Sequence, residues 1–463
     1  MEYTDYIASK VNDAAGCGFD PGQLDSYEMF PHQSELAAWA IKRGRAAIFA
    51  ATGLGKTRMQ LAFADQVAKH TAGPVLILAP LAVAAQTVAE GATIGVAVTH
   101  AHDGSDIRGG VNITNYDRLH RFDPSLFAGV VLDESSIIKH HDARTFTTLT
   151  ESFAQTQYRL CATATPSPND WTELGTHAEF LGVRSRSEML SEFFVHDGGD
   201  TQTWRLKGHA RHEFWRWVAS WGALVQSPAD LGHDDSAYRL PPLIVKQHTV
   251  GDAGPADGQL FAIEAQTLSE RRGARRASLS LRVERCAEII NATDGPAIVW
   301  CDLNAEGDAL RSAIPGSVEI RGSDDPDEKE RRLIAFSNRD IRVLITKPSI
   351  AGFGLNWQHC STMAFVGVTD SFEAYYQAVR RCWRFGQKNA VNVHIFASEQ
   401  EGSVIANLKR KERESDEMGR ALAAETAAFV RSNVLGSTRE HDSYLPTQRI
   451  VVPDFLKGSH ASR

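Results

Sequence analysis

The run Ala46-Ala47-Ile48-Phe49-Ala50-Ala51-Thr52-Gly53-Leu54-Gly55-Lys56-Thr57 decides the fold. An apolar segment of strand length empties into a glycine-rich turn and then into a helical stretch. Such a junction aims several backbone N–H groups and the positive end of a helix dipole at one spot, where a polyphosphate fits. Thr52, Gly53, Leu54 and Gly55 supply the cradle, Lys56 reaches the β- and γ-phosphates of a nucleoside triphosphate, and Thr57 ligates Mg²⁺. The usual pattern of such loops has glycine where this chain has Ala50, so the surrounding sequence has to support the motif.

It does so on both sides. From about Ile41 to Leu174 short apolar or β-branched runs alternate with helical stretches, the pattern of a parallel sheet flanked by helices. Strands are predicted at Ala46–Ala50, Val75–Ala79, Val96–Thr99, Val111–Asn115, Gly129–Leu132 and Arg159–Ala162. A second set is predicted at Ala297–Trp300, Val318–Ile320, Ile341–Ile345, Met363–Val366 and Val391–Phe396. The fold class is therefore α/β in two tandem lobes, 1–240 and 241–435, with a tail at 436–463. Residues 184–238 read as a helical, aromatic-rich insertion in the first lobe. Within it Phe214, Trp217, Val218 and Trp221 fall at helical spacing and predict an apolar stripe packed on that lobe. No inserted hairpin is evident, and 240–255, with its prolines and glycines, reads as a connector. Residues 399–431 read as charged helix.

Composition bounds the rest. With 463 residues the chain can bury more than one core, and a formal charge of −8 provides no global basic field. Any grip on nucleic acid has to be local. Six cysteines, well separated and without a C-x-x-C, suggest neither a disulfide framework nor a zinc site. No secretory leader and no long apolar run is present, so a soluble cytosolic protein is expected. The densest basic cluster, Arg271-Arg272-Gly273-Ala274-Arg275-Arg276, reads either as part of a nucleic-acid track or as a solvated face.

Two further motifs complete a constellation. After the strand at Gly129 come Asp133 and Glu134, placed at a strand end where one carboxylate holds Mg²⁺ and the other orients an attacking water. Far downstream, Gln377-Ala378-Val379-Arg380-Arg381-Cys382-Trp383-Arg384-Phe385-Gly386-Gln387 sets Arg381 and Arg384 three apart, on one predicted helix face. Either arginine, aimed across a cleft at a γ-phosphate, would stabilise transition-state charge.

The last segment matches Q-A-x-x-R-x-x-R-x-G-Q in full, and with it the chain resembles the superfamily 2 helicases and translocases, most closely the Swi/Snf-like branch. The resemblance covers nearly the whole chain and implies two RecA-like lobes, ATP and Mg²⁺ as ligands, and DNA as the partner. It implies catalytic roles for Lys56, Glu134, Arg381 and Arg384. By the same resemblance Gln33, in Phe30-Pro31-His32-Gln33, reads adenine, and Gly354, in Gly352-Phe353-Gly354-Leu355-Asn356, touches the nucleotide. Cys161-Ala162-Thr163-Ala164-Thr165-Pro166 resembles the motif that couples the γ-phosphate to lobe movement. Pro80, Thr114, Asn115, Tyr116, Thr346, Lys347 and Asn356 stand where the family touches the nucleic-acid backbone. Two departures stand out: Thr346-Lys347-Pro348-Ser349-Ile350-Ala351 replaces the usual Ser-Thr-Lys/Arg-Ala-Gly-Gly, and the acidic box ends Ser135-Ser136 where Ala-His is common. The activity implied is DNA-stimulated ATP hydrolysis driving translocation or unwinding, and with no inserted hairpin evident to part the strands the reading leans toward translocation. The alternatives are a nucleotide-dependent scaffold or the motor of a restriction or repair assembly.

Overall fold

The computed structural model describes residues 16–22, 24–80, 83–167, 170–197, 200–251, 276–351, 355–367 and 371–398, with single positions between 410 and 434. The basic run at 271–275, Gly354, most of 399–431 and the tail at 436–463 lie outside the described residues.

The first lobe is built on a parallel sheet, seven-stranded among the described residues, in the order β3-β4-β2-β5-β6-β1-β9. Its strands are β1 (Arg45–Ala50), β2 (Val75–Ala79), β3 (Val98–His100), β4 (Val111–Asn115), β5 (Gly129–Asp133), β6 (Tyr158–Thr163) and β9 (Gly222–Val225). Helices α1 (Pro31–Arg43), α2 (Lys56–Thr71) and α3 (Ala84–Thr93) cover one face. On the other lie α4 (Arg144–Ser152), α5 (Leu174–Leu181), α6 (Arg186–Phe193) and α7 (Arg211–Trp221). Strand β1 shows why its sequence is continuously apolar. Ala46, Ile48 and Ala50 enter the core under α1 and α2, while Ala47 and Phe49 enter the opposite core with Leu174 and Trp221. Ala50 ends the strand outside the left-handed region, so an alanine serves where related loops have glycine.

The second lobe repeats the plan with the order β10-β15-β14-β11-β13-β12, all parallel. These are β10 (Leu243–Val250), β11 (Ala297–Trp300), β12 (Val318–Glu319), β13 (Val343–Thr346), β14 (Thr362–Phe365) and β15 (Val391–Ser398). Helices α8 (Leu279–Asn291), α9 (Asn304–Ala313), α10 (Pro326–Ser337), α11 (Pro348–Ala351) and α12 (Phe372–Val379) accompany them. Strand β11 again feeds two cores, Ile298 and Trp300 on one side, Ala297 and Val299 on the other.

Four expectations need correction. The insertion at 184–238 is not wholly helical, because Gly222–Val225 is a buried edge strand beside β1 and Phe194–Asp197 pairs with Asp200–Leu206 as an antiparallel hairpin (β7 and β8). The connector carries β10, an edge strand on which Ile244 and Val245, on opposite faces, both stay about 40% exposed. Val96 does not start β3; its N–H bonds back to Gly91 O and closes α3. Finally, α12 stops at Val379, so Arg381 and Arg384 lie in the irregular turn after the helix rather than along it. The aromatic stripe behaves as expected: Phe214, Val218 and Trp221 are buried against the first lobe, joined by Trp215 and flanked by the partly buried Trp217.

Candidate active site

Strand order determines what can meet. Because β5, β6 and β1 are neighbours, their carboxyl ends bring Asp133, Thr163 and the phosphate loop to one edge. The loop is closed by two glycines in the left-handed region, Gly53 at φ 95° and Gly55 at φ 83°. Each is also sterically required. A Cβ on Gly55 would lie 2.1 Å from Gln33 Nε2, and one on Gly53 would press on Phe385 of the second lobe at 3.1 Å. Gln33, buried on α1, donates to Leu54 O at 3.0 Å and accepts from Phe30 N at 3.1 Å, so its amide ties the start of α1 to the loop. Thr52 and Thr57 are half-buried at the loop and on the first turn of α2.

Lys56 Nζ donates to Ala50 O at 2.8 Å and Ala51 O at 3.4 Å. Burial depresses its pKa, opposed by the attraction of Glu134 and Asp133. Asp133 ends β5, accepts from Gln60 Nε2 at 2.6 Å and is raised to about 6, first by burial and next by Glu134. Gln60 lies one helical turn from Lys56 on α2, a polar i+4 position that the loop motif alone does not mark. The backbone of Glu134 takes φ 52° and ψ 51°, a left-handed conformation that costs a non-glycine residue roughly 1–3 kcal/mol and recurs at functional sites.

The second lobe supplies the arginines. Arg381, 2% exposed, gives Nη1 to Leu355 O at 3.0 Å and Nη2 to Gln377 Oε1 at 3.1 Å; that Nη2 also stands 4.0 Å from Glu134 Oε1. Arg384 reaches Leu355 O at 3.5 Å. Burial lowers both guanidinium pKa values, and Arg384 falls to about 9 with Arg381 beside it as the next cause. Four buried polar atoms around this seam have no hydrogen-bond partner among the described residues: Glu134 Oε2, Arg384 Nε, Gln377 Nε2 and Thr165 Oγ1. Such atoms are costly unless a ligand completes them. The turn carrying the arginines is fixed to the connector by Trp383 Nε1, which donates to Pro241 O at 2.7 Å, and to the first lobe by Phe385, which packs on Tyr238 at 4.7 Å.

Beside Glu134 lies a cavity of about 440 Å³ lined from both lobes, by Pro80, Asn115, Tyr116 and Lys139 on one side and Lys329, Ser349, Ile350 and Glu373 on the other. Lys139 pairs with Glu373 across it. Three of the expected nucleic-acid residues thus share one space, though Tyr116 turns its hydroxyl inward to Asp133 O at 2.7 Å. Thr114 and Thr346 do not join them. Both are completely buried in their sheets, and Thr346 Oγ1 donates to Ile320 O at 3.2 Å, so neither hydroxyl is offered to a strand of nucleic acid. Lys347 caps α11 through its carbonyl, and Asn356 Oδ1 is buried without a partner among the described residues. No cluster of three or more His, Cys, Asp or Glu suited to a metal occurs among the described residues. No described helix is long and apolar enough to cross a membrane.

Residues 32–196 match the SNF2-related domain, and residues 282–386 match the helicase conserved C-terminal domain. No protein of curated function matches the chain. Among solved structures, a Sulfolobus solfataricus SWI2/SNF2 ATPase core in complex with dsDNA aligns over 90% of this chain and 98% of its own, at 18% identity and a TM-score of 0.40.

Proposed function

We propose, from the premise that the chain belongs to the Swi/Snf-like branch of the superfamily 2 helicases, that it hydrolyses ATP between its RecA-like lobes and moves along DNA as they close and open. The observation that carries the reading is the convergence of Lys56 from one lobe and Arg381 and Arg384 from the other on Glu134. Closure of the two halves then completes the site. We take 1–240 and 241–435 as those halves.

In this reading Lys56 exchanges its carbonyl partners for phosphate oxygens, and the loop N–H groups from Thr52 to Thr57 bind the rest of the polyphosphate. Gln33 braces the loop from the adenine side. Thr57 and Asp133 would hold Mg²⁺; a carboxylate that burial lifts to about 6 is one that a cation would relieve, so the donor set fits. Bound there, Mg²⁺ supplies charge neutralisation at the phosphates. Glu134 orients the attacking water and takes its proton through the unpartnered Oε2. Arg384 and Arg381 neutralise charge developing on the γ-phosphate. DNA would run past Pro80, Asn115, Lys347 and Asn356, with the interlobe cavity between this track and Glu134. Contacts to the backbone position without reading sequence and weaken with salt.

Steady-state ATP hydrolysis with no nucleic acid, single-stranded DNA, duplex DNA and RNA tests the proposal. Stimulation by duplex DNA is the expected result. A slow basal rate that no nucleic acid raises would instead favour a nucleotide-dependent scaffold. The hairpin at Phe194–Leu206 removes the ground for preferring translocation over unwinding, and strand displacement run beside triplex displacement separates the two.

A further inference from the structure

The acidic box is held from behind by a buried histidine that the chemistry above does not use. His177 lies on α5, wholly buried, with Nε2 3.2 Å from Ser135 Oγ and Nδ1 3.4 Å from Glu173 O. A carbonyl oxygen only accepts, so Nδ1 carries the proton and Nε2 is left as an acceptor. Ser135 must then donate to His177. Both links have a direction: Ser135 Oγ–H to His177, and His177 Nδ1–H to Glu173 O. Burial pushes His177 down to about 4, which keeps the ring neutral and the direction fixed. The ring is also clamped edge-on by Phe49 of β1 at 5.2 Å, on the strand that leads into the phosphate loop.

We infer that His177 is a positioning residue for Glu134, acting through the hydroxyl of Ser135, an inference that rests on the ATPase reading above. Glu134 sits in a left-handed conformation that its surroundings have to enforce. The residue before it is pinned by Tyr116, whose hydroxyl donates to Asp133 O, and the residue after it by His177. Two apolar side chains could fill the same space, but only a directional bond sets the rotation of the Ser135 backbone and hence the aim of the carboxylate. Residues 135 and 177 are therefore one device, and an imidazole is brought to the acidic box from a different element of the lobe.

The test compares S135A, H177F, H177Q and the S135A/H177F double variant with the wild type. Readouts are kcat and KM for ATP at saturating duplex DNA, ADP affinity and Tm. S135A and H177F are each expected to lower kcat roughly 10- to 100-fold, the scale of a misplaced reacting group. KM and ADP affinity are expected to stay within about twofold. H177Q, which keeps an acceptor, should recover most of the rate, and the double variant should be no slower than the worse single one. The inference is overturned if S135A and H177F turn over ATP like the wild type, if their losses multiply, or if kcat and ADP affinity fall together in step with Tm. Should H177F fail to fold, S135A, which removes one oxygen, decides alone. A wild type inert toward ATP would overturn the ATPase reading and this inference with it, whereas an active wild type with an indifferent S135A overturns the inference only.

Discussion

Each lobe buries charge at the carboxyl end of its central strands, and the two solve that problem in opposite ways. In the second lobe Arg282, wholly buried, pairs with Glu306 at 2.7 Å and also donates to Val366 O and, through Nε, to Ser278. Glu306 in turn accepts from the N–H groups of Asp302 and Leu303 at 2.8 and 3.0 Å. The knot closes on itself and ties α8, α9 and the ends of β11 and β14 together. At the seam, Asp133 and Arg381 are buried and Lys56, Glu134 and Arg384 half-buried, yet Glu134 Oε2 and Arg384 Nε have no partner among the described residues, and the nearest approach of Arg381 to Glu134 is 4.0 Å. A satisfied buried pair is architecture. A cluster that leaves donors and acceptors without partners fits the nucleotide site proposed above.

The contrast can be broken by substitution. Arg384→Ala and Glu134→Gln are each expected to lower DNA-stimulated ATP turnover by roughly 10³-fold or more while leaving thermal stability near that of the wild type. A large fall in Tm with intact turnover would show that the seam is architecture after all. Arg282→Ala should do the reverse, costing about 3–5 kcal/mol in denaturant unfolding because it strands a buried carboxylate, with normal turnover per folded molecule. If Arg282→Ala silenced turnover at unchanged stability, the distinction would collapse.

Acid gives a graded version. His177 titrates near 4 when folded and at its ordinary 6.5 when unfolded, so the unfolded chain binds the extra proton between those values. Its contribution is present above about 6.5 and is lost as pH falls toward 4, on the order of 3 kcal/mol. H177F should flatten that slope in urea titrations across the interval; an unchanged slope would mean that the ring is not held neutral. The smallest effect is reserved for the contact of Arg118 with Asp327 at 3.9 Å across the lobes. Asp327 is 82% exposed, so Asp327→Asn should shift stability by less than about 0.5 kcal/mol and leave the salt dependence of turnover alone.

How much of this was legible depends on the range of the interaction involved. The phosphate loop and the acidic box were legible as strand-end motifs because their pattern is local, a few residues at fixed offsets after an apolar strand. The arginine motif was readable as residue types but not as shape, since the helix gives way at Arg380 and the turn beyond it is fixed by Trp383 against the connector and by Phe385 against Tyr238. Strand β9 escaped notice because four apolar residues directly after an amphipathic helix continue its pattern, and β10 because prolines precede it and polar residues fill its exposed side. Thr114 and Thr346 look like surface hydroxyls in a list of residues, yet strand alternation turns both inward. The tie between Ser135 and His177 spans 42 positions and carries no local signal.

One last feature bears on how far the lobes can travel. The second half, taken above as 241–435, is anchored on the first near its end, where Val430 is buried in the core under α1 and α2 and Arg431 donates to the carbonyls of Ala229 and Asp230. With the connector at Pro241 this makes a double leash. A pair of bodies joined by one strap can swivel freely, whereas a pair buckled at both ends keeps a restricted arc and rejoins quickly after each parting. In the cycle of closing and opening proposed above, this second attachment would favour re-engagement of the same two faces after each parting.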